Sequence, residues 1–127
     1  MSNLETRSSN QNSEIASDCV LDDQVLGSLR ELMGGELDKL VVMFISAGDS
    51  KCQQLNRTLL TDDNSGQIEF IAHALKGSAG NMGANNFARL AADLEMAAFH
   101  HETGKYASLL KKINAEWQRV ELALKSL

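Results

Sequence analysis

A histidine, a lysine and a glycine at helical spacing, His73, Lys76 and Gly77, form the most reactive arrangement in this chain, inside the stretch HALKGSAGNMG that runs from His73 to Gly83. An α-helix turns about 100° per residue, so the three fall within roughly one third of its circumference. An imidazole ordinarily titrates near pH 6.5 (about one unit either way in proteins), which leaves an unprotonated ring nitrogen free to act as a nucleophile at neutral pH. An ammonium one turn away can offset negative charge on a group arriving at that nitrogen. Glu69, one turn before His73, is placed to hydrogen-bond the imidazole and orient it, although it would repel an incoming anion.

The helix that must present these groups is read from its apolar residues. With Ile68 taken as zero, Ile71, Ala72, Leu75, Ala79 and Met82 lie within about 60° of it, the stripe of a bundle helix facing its core. His73 then stands at about 140°, Glu69 at about 100°, Lys76 at about 80°, Gly80 at about 120° and Gly77 at about 180°, so the histidine points away from the core. Each glycine inside a helix costs about 1 kcal/mol relative to alanine. Gly77 and Gly80 on the histidine's side therefore suggest bare backbone kept for close approach by another molecule. The alternative is that the helix stops near Lys76 and GSAGNMG is a loop; the continuing stripe favours the helix, with Gly83 as its C-terminal cap.

Around this helix the chain reads as all-α, and the absence of proline agrees. Residues 1–18 are polar and Ser/Asn-rich, a disordered tail or linker. Residues 19–127 form one domain. Asp22 or Asp23 caps a short N-terminal helix with Val25, Leu26, Leu29, Leu32 and Met33, ended by Gly34-Gly35. A long helix from about Glu36 to Leu60 carries Leu37, Leu40, Val41, Phe44, Ile45, Cys52, Leu55 and Leu59, with Gly48 interrupting but not breaking it. After the turn cluster Thr61 to Gly66 comes the His73 helix, then one from about Ala84 to His101 with Phe87, Leu90, Ala91, Leu94 and Ala98. Glu102-Thr103-Gly104 turns into a last helix, Lys105 to Lys125, with Tyr106, Leu109, Leu110, Ile113, Trp117, Val120 and Leu124 inward; its Lys111, Lys112, Glu116, Arg119, Glu121 and Lys125 read as a solvated surface. The expected architecture is an antiparallel up-down-up-down four-helix bundle with a short additional N-terminal helix.

The run His73-Ala74-Leu75-Lys76-Gly77-Ser78-Ala79, with Gly83 after it and the apolar-acid pair Leu94-Glu95 in the next helix, resembles the signature of histidine-containing phosphotransfer (HPt) domains. With its flanking helices the resemblance spans about the last hundred residues. It implies a four-helix bundle whose exposed histidine accepts a phosphoryl group from a receiver-domain aspartate and passes it to another. Carried over, His73 is the phosphorylated residue, Lys76 the neighbouring cation and Gly77 the gap that admits the receiver, with Gly80, Glu69 and Phe70 as further access and docking positions. Phe70, at about 200° and off the core stripe, either meets the receiver or packs under the N-terminal helix. Where family members often carry a polar or basic residue near the end of the following helix, this chain has Phe99.

Other chemistry is disfavoured. A net charge of -5 with no basic run argues against nucleic acid. Cys19 and Cys52 lack zinc or disulfide spacing, Cys52 reads as core filling, and a di-metal bundle needs paired Glu-x-x-His motifs where this chain has a single Glu69-x-x-x-His73. No signal peptide, membrane span, Walker motif or strand-led glycine loop is present, so a cytoplasmic monomer without cofactor, metal, ATP binding or autonomous kinase activity is expected. Its partners would be response-regulator receivers, including that of a hybrid sensor kinase, which supply the metal and acidic pocket. His100, His101, Arg89, Asp93 and Met96 read as solvent-side residues without a role. The competing function is a helical adaptor that binds a signalling partner without being phosphorylated.

Overall fold

The computed structural model describes residues 19–61 and 64–127; the expected tail, 1–18, and two residues of the turn before the His73 helix lie outside the described residues. Among those described, the secondary structure is five α-helices and one 3-10 turn, with no strand: α1 (Asp23–Met33), α2 (Glu36–Thr58), α3 (Ser65–Asn81), α4 (Asn85–Phe99), the 3-10 turn (Thr103–Lys105) and α5 (Tyr106–Lys125). None of the helices is long and apolar enough to cross a membrane.

The core is made by the inward stripes of α2 to α5, with Leu37, Leu55, Ile68, Leu75, Phe87, Leu94, Ile113 and Val120 almost wholly removed from water. Burying such side chains is worth about 1.5–3 kcal/mol each, the main force assembling the bundle. The Trp117 ring lies 5.5 Å from Phe44 and 5.3 Å from Phe87, centroid to centroid. Its indole N–H donates to Asp49 Oδ1 at 2.6 Å, so the polar end of the ring is also satisfied. Gly48, expected only to interrupt α2, is the seat of this ring: a Cβ there would lie 2.1 Å from Trp117 Cη2. The most extensive helix pairing is between α3 and α4, where fully buried Ala72, Ala79, Ala91 and Ala98 allow close approach.

The glycine-rich stretch is helical, as the apolar stripe favours: α3 continues through Gly77 and Gly80 to Asn81. It ends in a Schellman turn. Gly83, at φ 78°, donates its N–H to Gly80 O (3.1 Å), and Ala84 N–H reaches Ala79 O (2.9 Å), satisfying carbonyls that the helix end would otherwise orphan. Helix α1 is moored to the same turn. Asp22 caps α1 through Gln24 N–H (2.9 Å) and Val25 N–H (3.3 Å), while its own N–H donates to Gly83 O at 2.8 Å.

At the other end of α3, buried Asn64 donates its side-chain amide to Thr58 O and to Thr61 O (2.8 Å), which closes α2. Ser65 and Tyr106 share a buried hydroxyl bond of 2.6 Å, tying the start of α3 to the start of α5. Two expectations need correction. Leu32 is exposed, because it lies about 120° around α1 from buried Leu26. Glu116 is only 7% exposed, since it follows core residue Ile113 by three; Arg119 Nη1 meets its carboxylate at 3.1 Å.

Candidate functional site

His73 stands on α3 with its side chain 68% exposed. Across the α3–α4 seam is Glu95, one turn from both Ala91 and Ala98 and therefore at the margin of α4's buried stripe. Its Oε2 lies 2.7 Å from His73 Nδ1 and its Oε1 2.7 Å from Lys76 Nζ. One carboxylate thus bridges the imidazole and the ammonium. The lysine's hydrogen bond, reinforced by that from His73, holds the Glu95 carboxyl below the ordinary carboxylate range, against the opposite push of its partial burial.

The bridge fixes the tautomer. A carboxylate only accepts, so Nδ1 carries a hydrogen and donates it to Glu95; in the neutral ring the lone pair is then on Nε2, the nitrogen that points away from the bond. The arrangement therefore supplies an oriented nucleophile with an anion behind it. As Nε2 forms a bond the ring becomes cationic, and Glu95 stabilises that charge without having to move. Lys76 stands one turn from the same nitrogen, within reach of oxygens arriving there.

Gly77 and Gly80 are exposed, and a Cβ built on either meets nothing within 4 Å. Packing places no demand for glycine at these two positions, unlike Gly48 and Gly83. Phe70 is 77% exposed rather than tucked beneath α1. It walls a groove of about 510 Å³ between α2 and α3, together with Gln54, Arg57, Gln67 and Ile71.

The imidazole's carboxylate partner is Glu95, not Glu69, which is half-buried on α3. Helical spacing within α3 makes Glu69 the nearest acid by sequence, whereas the partner used comes from the neighbouring helix and depends on how closely α4 packs. Glu95 appeared in the sequence only as the acid of the Leu94-Glu95 pair. Arg89, Asp93 and Met96 are exposed. His101, at φ 55°, forms the left-handed end of α4, with its N–H on Ala98 O (3.1 Å) and Glu102 N–H on Ala97 O (2.8 Å), a conformational task rather than a chemical one. Cys52 is buried, and that burial, with Asp49 and Glu121 nearby, pushes its thiol up to about 12, well away from a reactive thiolate.

Comparison with known proteins bears on this site. The sequence model of the family described as "Hpt domain" matches residues 39–124, which include His73, Lys76 and Glu95. Among solved structures the chain is similar to the crystal structure of histidine-containing phosphotransfer protein B (HptB) from Pseudomonas aeruginosa PAO1. The two share 29% identity and a TM-score of 0.82, over 86% of this chain and 94% of that one. No curated protein matches the sequence.

Proposed function

Since the chain belongs to the Hpt domain family, and so is a phosphotransfer protein of two-component signalling, we propose that it is a relay intermediate: His73 accepts a phosphoryl group from a receiver-domain aspartate and delivers it to the aspartate of another receiver. One observation carries this reading, the exposed His73 whose Nδ1 is held by Glu95 at 2.7 Å while Nε2 is left outward. In the accepting step Nε2 attacks the phosphorus of the aspartyl phosphate. The N–P bond forms as the P–O bond to the aspartate breaks, and the aspartate leaves as a carboxylate. No proton need be transferred, because Nδ1 keeps its hydrogen and the imidazolium charge faces Glu95. Delivery to the next receiver is the reverse.

Lys76 has a second duty in this scheme. In the resting site its charge is neutralised by Glu95, and on arrival of the phosphoryl group it has acceptors on both sides. Gly77 and Gly80 keep the approach to Nε2 free of side chains, and Phe70 borders it. The scaffold is read as an antiparallel up-down-up-down bundle with α1 added. Supporting this, Asp49 pairs with Trp117 and Asn56 with Asn114, numbers that run in opposite directions along α2 and α5. In this role the protein acts in the cytoplasm as a monomer, without nucleic acid, membrane, metal or cofactor of its own, and without enzymatic turnover.

The test is labelling from a phosphorylated receiver, with acid and base treatment of the product. The unmodified chain should acquire an acid-labile, base-stable label, and His73→Gln should acquire none while keeping its helix content. A label that survives His73→Gln would put the chemistry elsewhere. An adaptor that is never phosphorylated would take no label in either form.

A further inference from the structure

Along α2, Asp38, Val42, Ile45 and Asp49 recur at steps of four, three and four residues, so they form one stripe about 16 Å long, with an acid at each end and two apolar residues between. The stripe borders a groove of about 590 Å³ where α2 meets α5, floored by buried Val41 and Leu124. Val42 is 66% exposed at its edge and Ile45 is half-buried. A β-branched residue at a solvent-facing position inside a helix gives up propensity that Lys, Glu or Gln would supply, and Val42 obtains little burial in return. Leu127, 57% exposed, adds apolar surface to the same groove.

The charge of the groove is one-sided. Lys125, the base on its wall, is held by Glu121 at 3.1 Å. Among the described residues no Lys or Arg pairs with Asp38 or Asp49. Asp49 Oδ1 accepts the indole N–H of Trp117 at 2.6 Å, a bond that fixes the carboxylate beside the groove without cancelling its charge. This face lies apart from His73. The helices touch in the ring α2–α3–α4–α5, and the α2–α5 seam is across that ring from the α3–α4 seam that holds His73 and Glu95.

We propose that the α2–α5 groove docks one amphipathic helix of a partner protein, which sets two apolar side chains on Val42 and Ile45 and a Lys or Arg against each of Asp38 and Asp49. The complementary pattern is basic, apolar, apolar, basic at i, i+4, i+7 and i+11. That spacing is the same from either end, so either chain direction satisfies it. Helix-in-groove recognition works in this way, with apolar anchors for affinity and charges at the margin for register and choice of partner. A second copy of this chain is a poor occupant, because two such grooves face to face would set Asp38 and Asp49 against the same acids. An anionic lipid surface is repelled by the same pair. Docking here does not depend on the phosphorelay reading, and it leaves His73 uncovered.

The full chain is titrated by calorimetry with a peptide of about four helical turns, carrying Lys at i and i+11, Leu at i+4 and i+7, and Ala and Gln elsewhere. One peptide should bind per chain. Emission of Trp117, the single tryptophan, should shift with the same midpoint, because a lysine of the peptide meets Asp49. Val42→Gln and Asp38→Asn should each raise Kd by about 10-fold, as for loss of one hot-spot contact. Met96→Gln, at an exposed position of α4, should leave it unchanged. Kd for the unmodified chain should rise as salt goes from about 0.05 to 0.5 M, and a peptide with Glu in place of both lysines should not bind. Val42 and Asp38 are exposed, and circular dichroism melts verify that both variants stay folded. No saturable binding, equal binding of the Glu peptide, or an unchanged Kd in either variant would overturn the proposal. A dimer of the unmodified chain that Val42→Gln dissolves would also overturn it and assign the groove to a second copy. Adsorption to phosphatidylcholine vesicles that is lost in the same variant would assign it to lipid instead.

Discussion

Replace Gly77 by alanine and, from the geometry of α3, two observables should move in opposite directions. The position is interior to the helix, exposed, and open: a Cβ there meets nothing within 4 Å. The substitution therefore removes the helix penalty of glycine without creating a clash, a gain of up to about 1 kcal/mol. For a domain of this size that raises the thermal midpoint by about 3–5 °C. The same methyl group stands one turn from His73, on the side that the proposed function gives to the receiver. If a receiver's loops pack there, an extra carbon costs about 1–3 kcal/mol by the measure of overpacked cores. Transfer should then slow roughly 5- to 150-fold at about 1.4 kcal/mol per decade, and Gly77→Gln should slow it further while keeping the fold. Circular dichroism melts give the first quantity and single-turnover transfer from a phosphorylated receiver the second. Phosphoramidate shows that His73 itself is intact. A lowered midpoint would mean that the backbone needs glycine at this position; a raised midpoint with unchanged transfer would mean that no partner comes near it.

Gly48→Ala should do the reverse, because its Cβ would lie 2.1 Å from the Trp117 ring, which Asp49, Phe44 and Phe87 hold in place. Overpacking of about 1–3 kcal/mol outweighs a helix gain of up to about 1 kcal/mol, so the melt should fall and tryptophan emission shift, and an unchanged melt would refute this. His101→Gly should stabilise the chain by about 1 kcal/mol by removing a left-handed non-glycine residue, measurable by urea titration; a loss would show that the side chain matters more than its φ of 55°. Acid sensitivity should change in Glu95→Gln. The folded Glu95 carboxyl lies below its unfolded value, so its contribution is complete above the ordinary carboxylate range and is lost as pH falls through the depressed value. Melts from neutral pH to about pH 3 should therefore decline less in Glu95→Gln, and parallel profiles would remove Glu95 as the cause.

The helices were legible because each carries a 3.6-residue apolar stripe long enough to outvote local propensity, and this held even through Gly77 and Gly80. Gly83 was legible as a cap from its place just after the last residue of the stripe, whereas the crowding of its missing Cβ by Val25 and Asp22 was not. Long-range contacts were hidden. The role of Gly48 depends on Trp117, and the role of Glu95 on His73 across a helix interface; neither partner is near in sequence. Glu116 misled because charge in a surface pattern reads as solvated until the helix's rotation is known. Around His73 the exposed imidazole, the cation and the open backbone were visible from spacing within one helix, whereas the carboxylate that holds the imidazole came from the next.

The alanines packed between α3 and α4 set a distance. Glu95 is one turn from Ala91 and from Ala98, so its reach to His73 is set by side chains buried in the seam. Heritable loss of signalling in this protein need not fall on a reactive residue. On the proposed relay reading, a genetic screen for chains that accumulate normally yet no longer transfer the phosphoryl group should recover bulkier residues at Ala91 or Ala98 beside changes at His73. Such alleles would be suppressed by a smaller residue across the seam rather than by any restoration of charge.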